Sequence, residues 1–178
     1  MPSIRDSKRI LVVGSGGAGK TTFSRALATR LGLPLIHLDR YYWKAGWQAT
    51  ATDQWNAMVA ELAGRHEWIM DGNYGGSLPL RLRRCDAVVF FDFPRLQCLW
   101  GVAKRRFSTG RRTRSDMADG CPERLTLEFI RWIWKYPLVS RHRIANALHN
   151  ASKDIEFVTV RSRREVRELL LACEIDPV

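Results

Sequence analysis

The apolar residues of this 178-residue chain fall into five short runs that predict buried strands. The runs cover residues 10–13, 34–38, 68–70, 87–91 and 155–160, and most of them lead into glycine or aspartate. Amphipathic stretches separate the runs. This alternation is typical of a three-layer α/β domain with a five-stranded parallel sheet, helices on both faces and right-handed crossovers. The chain has no repeat and no linker, so residues 1–178 are predicted to form a single domain.

The helices between the strands are predicted from apolar residues at helical spacing and from residues that favour helix ends. The helix over 22–31 shows both signals, with Phe23 and Leu27 on one face and Gly32 at its C-terminal end. The other predicted helices run from Thr52 or Asp53 to about Leu62, over a short basic stretch with Arg81, Arg83 and Arg84, from Pro94 to about Phe107, over 122–134, over 137–149 and over 164–173.

The first strand leads into a glycine-rich loop that fits G-x-x-x-x-G-K-[ST] at each fixed position. Glycines allow successive backbone N–H groups to face a phosphate, and the following helix presents its N-terminus to the same anion. In this motif the catalytic Lys20 reaches the β- and γ-phosphates, and the hydroxyl of Thr21 binds Mg²⁺. The order of strand, loop and helix favours a P-loop over a glycine turn without a ligand. The predicted ATP-binding residues of the loop are Gly14, Ser15, Gly16, Gly17, Ala18, Gly19, Lys20, Thr21 and Thr22.

Aspartates follow the second, third and fourth predicted strands, at Asp39, Asp71 and Asp92. Since the carboxyl ends of parallel strands share one edge of the sheet, the three carboxylates are expected to gather there. Phosphoryl transfer needs an acid that holds Mg²⁺, directly or through water, and it can use another to orient or deprotonate the acceptor. Asp71 and Asp92 are therefore predicted metal residues together with Thr21, and Asp39 and Asp71 are predicted catalytic residues. Each aspartate also has a structural interpretation as a turn or a helix cap, which is strongest for Asp92.

Arginines are concentrated around a polar, glycine-containing loop at about 108–121. Such a loop can neutralise the charge on a transferred phosphate and exclude water, so the segment is predicted to be an arginine-rich lid within the domain. Arg106 and Arg114 are predicted catalytic residues, and Arg111 is a predicted ATP contact. A solvated basic surface is the alternative interpretation. The other arginines of the group are Arg105, Arg112, Arg131, Arg141 and Arg143.

The net charge of +11, carried mostly by arginine, favours phosphorylated partners. These can be small molecules or the backbone of a nucleic acid, and charge alone does not separate the two. The four cysteines and four histidines have no metal-binding spacing, and the histidines are expected to be non-catalytic. The first residues are polar and no apolar run approaches 18 residues. We therefore expect a cytoplasmic protein without a membrane partner.

Four aromatic residues, Tyr41, Tyr42, Trp43 and Trp47, follow the second strand. They can stack on a planar acceptor such as a base, or they can form the core of a small helical subdomain. The sequence favours neither interpretation over the other. Tyr42 and Trp43 are the predicted acceptor contacts under the first.

Several segments together resemble the P-loop kinases related to adenylate kinase and, more narrowly, the DNA topology modulation proteins. Besides the P-loop, the matching segments are Leu38-Asp39 with Tyr42-Trp43, and residues 71–74, 91–95, 110–117, 120–123 and 132–137. The resemblance implies a core-plus-lid kinase with strand order 2-3-1-4-5, ATP on the P-loop and an acceptor near the second strand.

The resemblance also implies roles for particular residues. Asp71 and Gly72 match the start of the Asp-Gly-x-x-Arg segment of adenylate kinases, and Arg81 is the nearest candidate for its phosphate-binding arginine. Arg111 and Arg112 resemble the paired arginines of the lid, and the second arginine set would be Arg131 with Arg141 or Arg143. The implied acceptor-binding residues are Asp39, Tyr42, Trp43, Asp71, Gly72, Arg81, Arg131 and Arg141. Residues 161–163 correspond to the segment that runs beside the adenine in such kinases.

The main hypothesis is a kinase that uses ATP and Mg²⁺ and transfers phosphate to a nucleoside, a nucleotide or a similar small acceptor. The alternative is a nucleic-acid-associated P-loop ATPase or regulator that affects DNA topology, for which DNA binding should fall steeply with salt. No base-reading motif accompanies the basic charge. A third hypothesis is a protein that binds nucleotide with little catalysis.

Overall fold

The computed structural model describes residues 4–110, 113–150 and 155–173, and five parallel strands form the predicted sheet within them. The strands in chain order are β1 Arg9–Gly14, β2 Leu35–His37, β3 Trp43–Lys44, β4 Gln48–Ala49, β5 Trp68–Asp71, β6 Ala87–Phe91 and β7 Glu156–Val160. The sheet order is β2-β5-β1-β6-β7, which becomes 2-3-1-4-5 when the five sheet strands alone are numbered. The predicted order and the parallel pairing are therefore confirmed. The short strands β3 and β4 form a separate antiparallel hairpin.

Helices cover both faces of the sheet. They are α1 Lys20–Leu31, α2 Leu38–Tyr42, α3 Thr52–Ala63, α4 Leu78–Leu82, α5 Arg95–Thr109, α6 Leu127–His149 and α7 Arg163–Ala172. Helices α1, α5 and α7 pack on one face, α3 and α4 pack on the other, and α6 contributes to both cores. In the described part of the chain, no helix combines the length and the apolarity that crossing a bilayer requires.

Alternate side chains of the central strand β1 enter opposite cores. Ile10 and Val12 belong to the core under α1 and α5, whereas Leu11 and Val13 belong to the core under α3 and α4. All four side chains are fully buried. A strand that is buried on both faces needs an unbroken apolar run, because successive side chains point in opposite directions. This run places the P-loop at the carboxyl edge of the sheet.

The second strand is shorter than predicted, and this changes the position of Asp39. Strand β2 ends at His37, and Leu38 begins the short helix α2. Asp39 therefore lies in the first turn of a helix instead of at the end of a strand, where the carboxylate is favoured by the helix dipole. It still lies at the carboxyl edge of the sheet.

The prediction of two helices on either side of Pro137 is wrong. Residues 127–149 form the single helix α6 with Pro137 inside it, and the segment after Pro122 is irregular up to Leu127. A proline removes one backbone hydrogen bond, but Ile133, Tyr136 and Ile144 on both sides of it are buried. Packing against the two cores therefore keeps the helix continuous.

The P-loop lies backbone against backbone on α5. A Cβ atom at Gly17 would overlap the carbonyl oxygen of Cys98, and one at Gly101 would overlap the carbonyl oxygen of Gly17. Gly17 also has a φ of +78°, a conformation that other residues rarely adopt. Only glycine at both positions allows this close approach, so α5 supports the phosphate-binding loop directly.

Candidate active site

A cleft of about 1440 Å³ opens at the carboxyl edge of the sheet. Its walls come from the P-loop, the end of β5, the β3–β4 hairpin, the lid segment after Arg114 and the inner side of α6. Pockets for a single small ligand are usually about 300–1,000 Å³. The cleft is therefore wide enough for two ligands side by side, as transfer of a group between two molecules requires.

The P-loop presents the start of α1 to this cleft. Gly16, Gly17, Gly19, Lys20, Thr21 and Thr22 line the cleft, whereas Gly14, Ser15 and Ala18 are buried behind them. Gly19 precedes α1 without a side-chain cap, so the first N–H groups of the helix stay available to an anion. Lys20 Nζ donates to the carbonyl oxygen of Ser15 at 3.0 Å. Burial lowers the pKa of Lys20, although the nearby charges of Asp71 and Asp39 oppose this effect.

Asp71 lies directly beside the P-loop, as the sequence predicts. Its Oδ2 accepts a hydrogen bond from the hydroxyl of Thr21 at 2.7 Å and lies 3.3 Å from Nδ1 of His37. Burial raises the pKa of Asp71, but the hydrogen bond with His37, the charge of Lys20 and the hydrogen bond from Thr21 outweigh burial. The net pKa lies below the ordinary value, so the carboxylate stays ionised. His37, expected to be non-catalytic, does not line the cleft and contacts Asp71 behind it.

Asp116 joins the same group, and sequence reasoning did not assign it a role. Its Oδ2 lies 3.4 Å from the hydroxyl of Thr21, and its Oδ1 lies 3.7 Å from Arg25 Nη2. Asp116 is buried although it belongs to the lid segment. Within a polar and basic loop, no periodicity marks one aspartate as buried, so the sequence carries no signal that separates Asp116 from Asp119.

The oxygen atoms of Thr21, Asp71 and Asp116 fit the requirements of Mg²⁺. This ion prefers hard oxygen donors and usually keeps waters and substrate phosphates among its ligands. The described residues contain no cluster of three or more histidine, cysteine, aspartate or glutamate side chains that could hold a metal ion alone. A hydroxyl between two carboxylates supplies part of a ligand set that phosphates and water complete.

Asp92 does not belong to this group, and its predicted metal role needs correction. Its Oδ2 lies 2.8 Å from Arg141 and 3.6 Å from Arg161, and it is not among the residues that line the cleft. Arg141, a predicted acceptor contact, pairs with Asp92 and does not line the cleft either. The pair joins α6 to the segment after β6 and leaves both side chains outside the cleft.

Asp39 lines the cleft and is held by Tyr74. The tyrosine hydroxyl donates to Asp39 Oδ1 at 2.6 Å, and no donor from the described residues bonds to Oδ2. Burial raises the pKa of Asp39, and the charge of Asp71 adds to this effect, although the hydrogen bond from Tyr74 opposes it. One oxygen is therefore fixed and the other is available to an acceptor. Tyr74 is a site residue that sequence reasoning named only as part of a matching segment.

Two arginines that line the cleft, Arg105 on α5 and Arg114 in the predicted lid segment, share one buried carboxylate. Glu123 Oε1 accepts from Arg105 Nε at 2.9 Å, and its Oε2 accepts from Arg114 Nη1 at 3.1 Å. Arg114 also donates to both oxygens of Asp116, at 3.1 and 2.9 Å. Burial lowers the pKa of Arg105, and the charge of Arg114 adds to this effect. Glu123 therefore offsets the repulsion between two guanidinium groups beside the P-loop.

Two predicted arginines among the described residues, Arg106 and Arg131, do not line the cleft. Arg106 Nη1 donates to the carbonyl oxygen of Gly110 at 2.7 Å, so it closes the end of its own helix instead of facing a phosphate. Arg131 is exposed on α6 and does not line the cleft. Arg111, the predicted ATP contact, lies outside the described residues. Helix periodicity explains why Arg105 and not Arg106 lines the cleft, because neighbouring residues on α5 face different directions.

Arg81 is buried beneath the site, and its predicted contact with an acceptor phosphate needs correction. The side chain is fully buried, and its two terminal nitrogens donate to the carbonyl oxygens of Gly72, Asn73 and Tyr74. Burial lowers the pKa of Arg81 to about 10. The guanidinium binds backbone in place of an acceptor, because α4 packs under the loop that follows β5.

The aromatic residues after β2 divide between the two interpretations of the sequence. Tyr42 packs against Trp55 and Tyr74, with ring centroids 5.1 and 4.7 Å apart, and it does not line the cleft. Its predicted acceptor contact is therefore corrected to a core position. Trp43 and Trp47 do line the cleft, with centroids 5.4 Å apart. They remain predicted contacts for a planar ligand.

Two aromatic residues of α6 also reach the P-loop. The rings of Phe129 and Trp132 stack with centroids 5.7 Å apart and line the cleft beside Gly16. Arg163 lines the cleft next to Gly19, within the segment implied to pass the adenine. The P-loop is therefore flanked by flat and basic side chains that suit a nucleotide.

A five-stranded parallel sheet of this order, with a glycine-rich loop after its central strand, is also the fold of solved kinases. Shikimate kinase from Acinetobacter baumannii, solved with shikimate, has this fold with a TM-score of 0.56 and 17% identity over 93% of this chain and 89% of that one. Shikimate kinase from Bacteroides thetaiotaomicron has a TM-score of 0.53 and 18% identity over 93% of this chain and 96% of that one. Identities this low show the fold alone.

A deoxyadenosine kinase from M. mycoides matches with a TM-score of 0.48 and 13% identity over 92% of this chain and 94% of that one. No family model and no curated protein sequence match this chain. Kinship with the DNA topology modulation proteins therefore stays a prediction.

Proposed function

We propose that this protein is a kinase that uses ATP and Mg²⁺ to phosphorylate a small molecule such as a nucleoside, a nucleotide or a similar acceptor. The observation that carries the proposal is one cleft that contains both halves of a transfer site. Lys20, Thr21 and Asp71 lie on its phosphate side, and Asp39 lies in it with one carboxylate oxygen to which no donor of the described residues bonds. A protein that only binds nucleotide does not need a carboxylate on the acceptor side of the cleft.

On the phosphate side, the first N–H groups of α1 and the P-loop bind the anionic oxygens of the triphosphate. Lys20 supplies a positive charge to the β- and γ-phosphates, and partial burial strengthens this attraction because water screens it less. Thr21, Asp71 and Asp116 would hold Mg²⁺ together with phosphate oxygens and water. Bound Mg²⁺ supplies neutralisation of the negative charge on the phosphates.

On the acceptor side, Asp39 orients the attacking hydroxyl and takes its proton. The hydrogen bond from Tyr74 to Oδ1 fixes the carboxylate, so that Oδ2 can accept from the acceptor. The pKa of Asp39 is raised by burial, which makes the carboxylate a better proton acceptor than an exposed aspartate. Base and phosphate lie in one cleft, so the acceptor can be held in line with the γ-phosphate.

The lid supplies further positive charge to the transferred group. Arg105 and Arg114 line the cleft, and Glu123 between them sets their spacing. Charge on the oxygens of a phosphoryl group in transfer is stabilised by donors that are already in place. The shared carboxylate is therefore part of the arrangement that holds these donors ready.

Glu123→Gln should lower kcat by about 10- to 100-fold, since small errors in the position of charged groups have effects of this size. The amide keeps the shape of the side chain but leaves the charges of Arg105 and Arg114 unbalanced. The measurement is kcat at saturating ATP for the variant and for Glu61→Gln, which changes an exposed glutamate on α3. Equal values for the two variants would show that Glu123 does not support catalysis.

The proposed function is tested by transfer from γ-labelled ATP to a panel of nucleosides, nucleoside monophosphates and small metabolites that includes shikimate. We expect a labelled product with Mg²⁺ and none with excess EDTA. Label released only as inorganic phosphate would contradict the kinase proposal, and stimulation of that release by DNA would favour the nucleic-acid-associated ATPase. ATP binding without any turnover would favour a regulatory protein.

A further inference from the structure

The loop of residues 72–74, which follows β5, connects the two halves of the cleft. Asn73 brackets the P-loop, because its Nδ2 donates to the carbonyl oxygen of Gly14 at 2.7 Å and its Oδ1 accepts from the Gly14 N–H at 2.9 Å. The next residue, Tyr74, donates to Asp39 at 2.6 Å. Two consecutive side chains thus touch the phosphate-binding loop and the acceptor carboxylate.

The backbone of this loop adopts an unusual path. Tyr74 has a φ of +36°, in a region that residues with a side chain rarely occupy. Gly72 has a φ of +146° and lies so close to Leu38 that a Cβ atom would be only 2.9 Å from the leucine Cβ. Such a conformation persists only when the surroundings hold it. Contacts from neighbouring residues must therefore hold the loop in this conformation.

Arg81 supplies three of these contacts. Its Nη1 donates to the carbonyl oxygen of Gly72 at 3.0 Å, and its Nη2 donates to the carbonyl oxygens of Asn73 and, at 2.9 Å, of Tyr74. The donors of one planar guanidinium thus fix three successive peptide units. Ser77 assists at one end, where its N–H and hydroxyl donate to the carbonyl oxygen of Tyr74 at 3.0 and 3.1 Å.

The burial of Arg81 without an acidic partner is costly, and this cost points to a specific use. The side chain is fully buried, and no carboxylate of the described residues lies within ion-pair distance of it. A buried charge is tolerated only where hydrogen bonds compensate it. Among the described residues, Nη1 and Nη2 bond only to carbonyl groups of the loop, and Nε is buried without a partner. The stability of the guanidinium and the shape of the loop therefore depend on each other.

We infer that Arg81 is a positioning residue for phosphoryl transfer, which acts through Asn73 on the P-loop and through Tyr74 on Asp39. The inference rests on the proposed kinase function and adds a residue that lies outside the cleft. A phosphate-binding arginine would contact the acceptor, whereas Arg81 fixes the distance between acceptor and donor. Loss of Arg81 therefore affects the rate of transfer more than the binding of either substrate.

The test compares Arg81→Met and Arg81→Lys with Arg83→Met, which changes an exposed arginine at the end of α4. For the acceptor found by label transfer, we expect Arg81→Met to lower kcat per folded enzyme by about 10- to 100-fold. KM for the acceptor and the Kd of Mg·AMP-PNP should change less than about 3-fold. Arg81→Lys should recover part of kcat, and Arg83→Met should match the wild type. A rise of acceptor KM with kcat retained would overturn the inference, and so would unchanged kinetics per folded enzyme.

A second measurement needs no acceptor and separates this inference from the proposed function. The Gly14 amide is bonded to Asn73, so its hydrogen exchange reports whether the bracket is intact. We expect faster exchange at Gly14 in folded Arg81→Met and wild-type exchange in Arg83→Met. Unchanged exchange at Gly14 would overturn the inference even if the protein is a kinase. Faster exchange without any phosphate transfer would uphold the anchoring role and contradict the kinase proposal instead.

Discussion

Lys20→Ala should reduce phosphate transfer by about 10³-fold, the upper range for removal of one preorganised charged donor. Lys20 is the one residue of the P-loop that adds a full positive charge to the cleft, and it lies in the electrostatic field of both Asp71 and Asp39. Without it, the developing charge on the transferred group meets two carboxylates with less compensation. The measurement is initial rate of product formation from γ-labelled ATP at saturating Mg²⁺.

The matched control is Lys8→Ala, since Lys8 is exposed and lies before β1 with only a 3.8 Å ion pair to Glu67. This variant should keep the rate of the wild type. Circular dichroism and the binding of Mg·AMP-PNP show whether Lys20→Ala is folded and still receives nucleotide. A folded Lys20→Ala enzyme with more than about a tenth of the wild-type rate would contradict the proposed mechanism, given the size of effect expected.

The sheet and the P-loop could be predicted because their signals are local. Residues 10–13 are apolar without interruption, and the glycine-rich motif follows at once. A strand buried on both faces and a loop that needs glycine leave few alternatives. The order 2-3-1-4-5 came from the family resemblance instead, and β1 pairs with β5 and β6 as this order requires.

The partners of charged side chains could not be predicted in the same way. Arg81, Arg106 and Arg141 all occur in basic stretches, but one is buried under a loop, one binds its own helix end and one pairs with Asp92. A sequence gives the charge of an arginine but not the direction of its long side chain, which depends on contacts distant in the chain. For the same reason the sequence could not separate Asp71, which bonds to the P-loop, from Asp92, which pairs with Arg141.

The segment with Asp116 and Glu123 shows most clearly that the sequence does not reveal buried acids in irregular structure. Asp116 and Glu123 are buried acids in a segment without helix or strand periodicity, held by Arg105 and Arg114 and by the pairing of Thr113 with Pro122. Periodicity is the main sequence signal for burial, so an irregular segment offers none. The lid itself stays a prediction, and the structure adds the buried acids that pair with Arg105 and Arg114.

Asp39→Asn should lower kcat by about 10²- to 10⁴-fold, the usual contribution of a general base. The substitution keeps the size of the side chain and an oxygen that can still accept from Tyr74, so the loop contact at 2.6 Å should survive. The Kd of Mg·AMP-PNP should stay near the wild-type value because Asp39 does not belong to the P-loop. Asp53→Asn, in the first turn of α3, is the control for loss of one exposed carboxylate.

The pH dependence of the wild type tests the same role with an independent sign. Asp39 must be ionised to accept a proton, and burial raises its pKa above the ordinary aspartate value. As the pH falls through this raised pKa, the protonated fraction grows and kcat declines, at a higher pH than an exposed aspartate would give. Asp39→Asn should remove this acidic limb together with the rate. If the limb persists in Asp39→Asn, or if the variant keeps the wild-type kcat, another group takes the proton and the acceptor side of the mechanism is wrong.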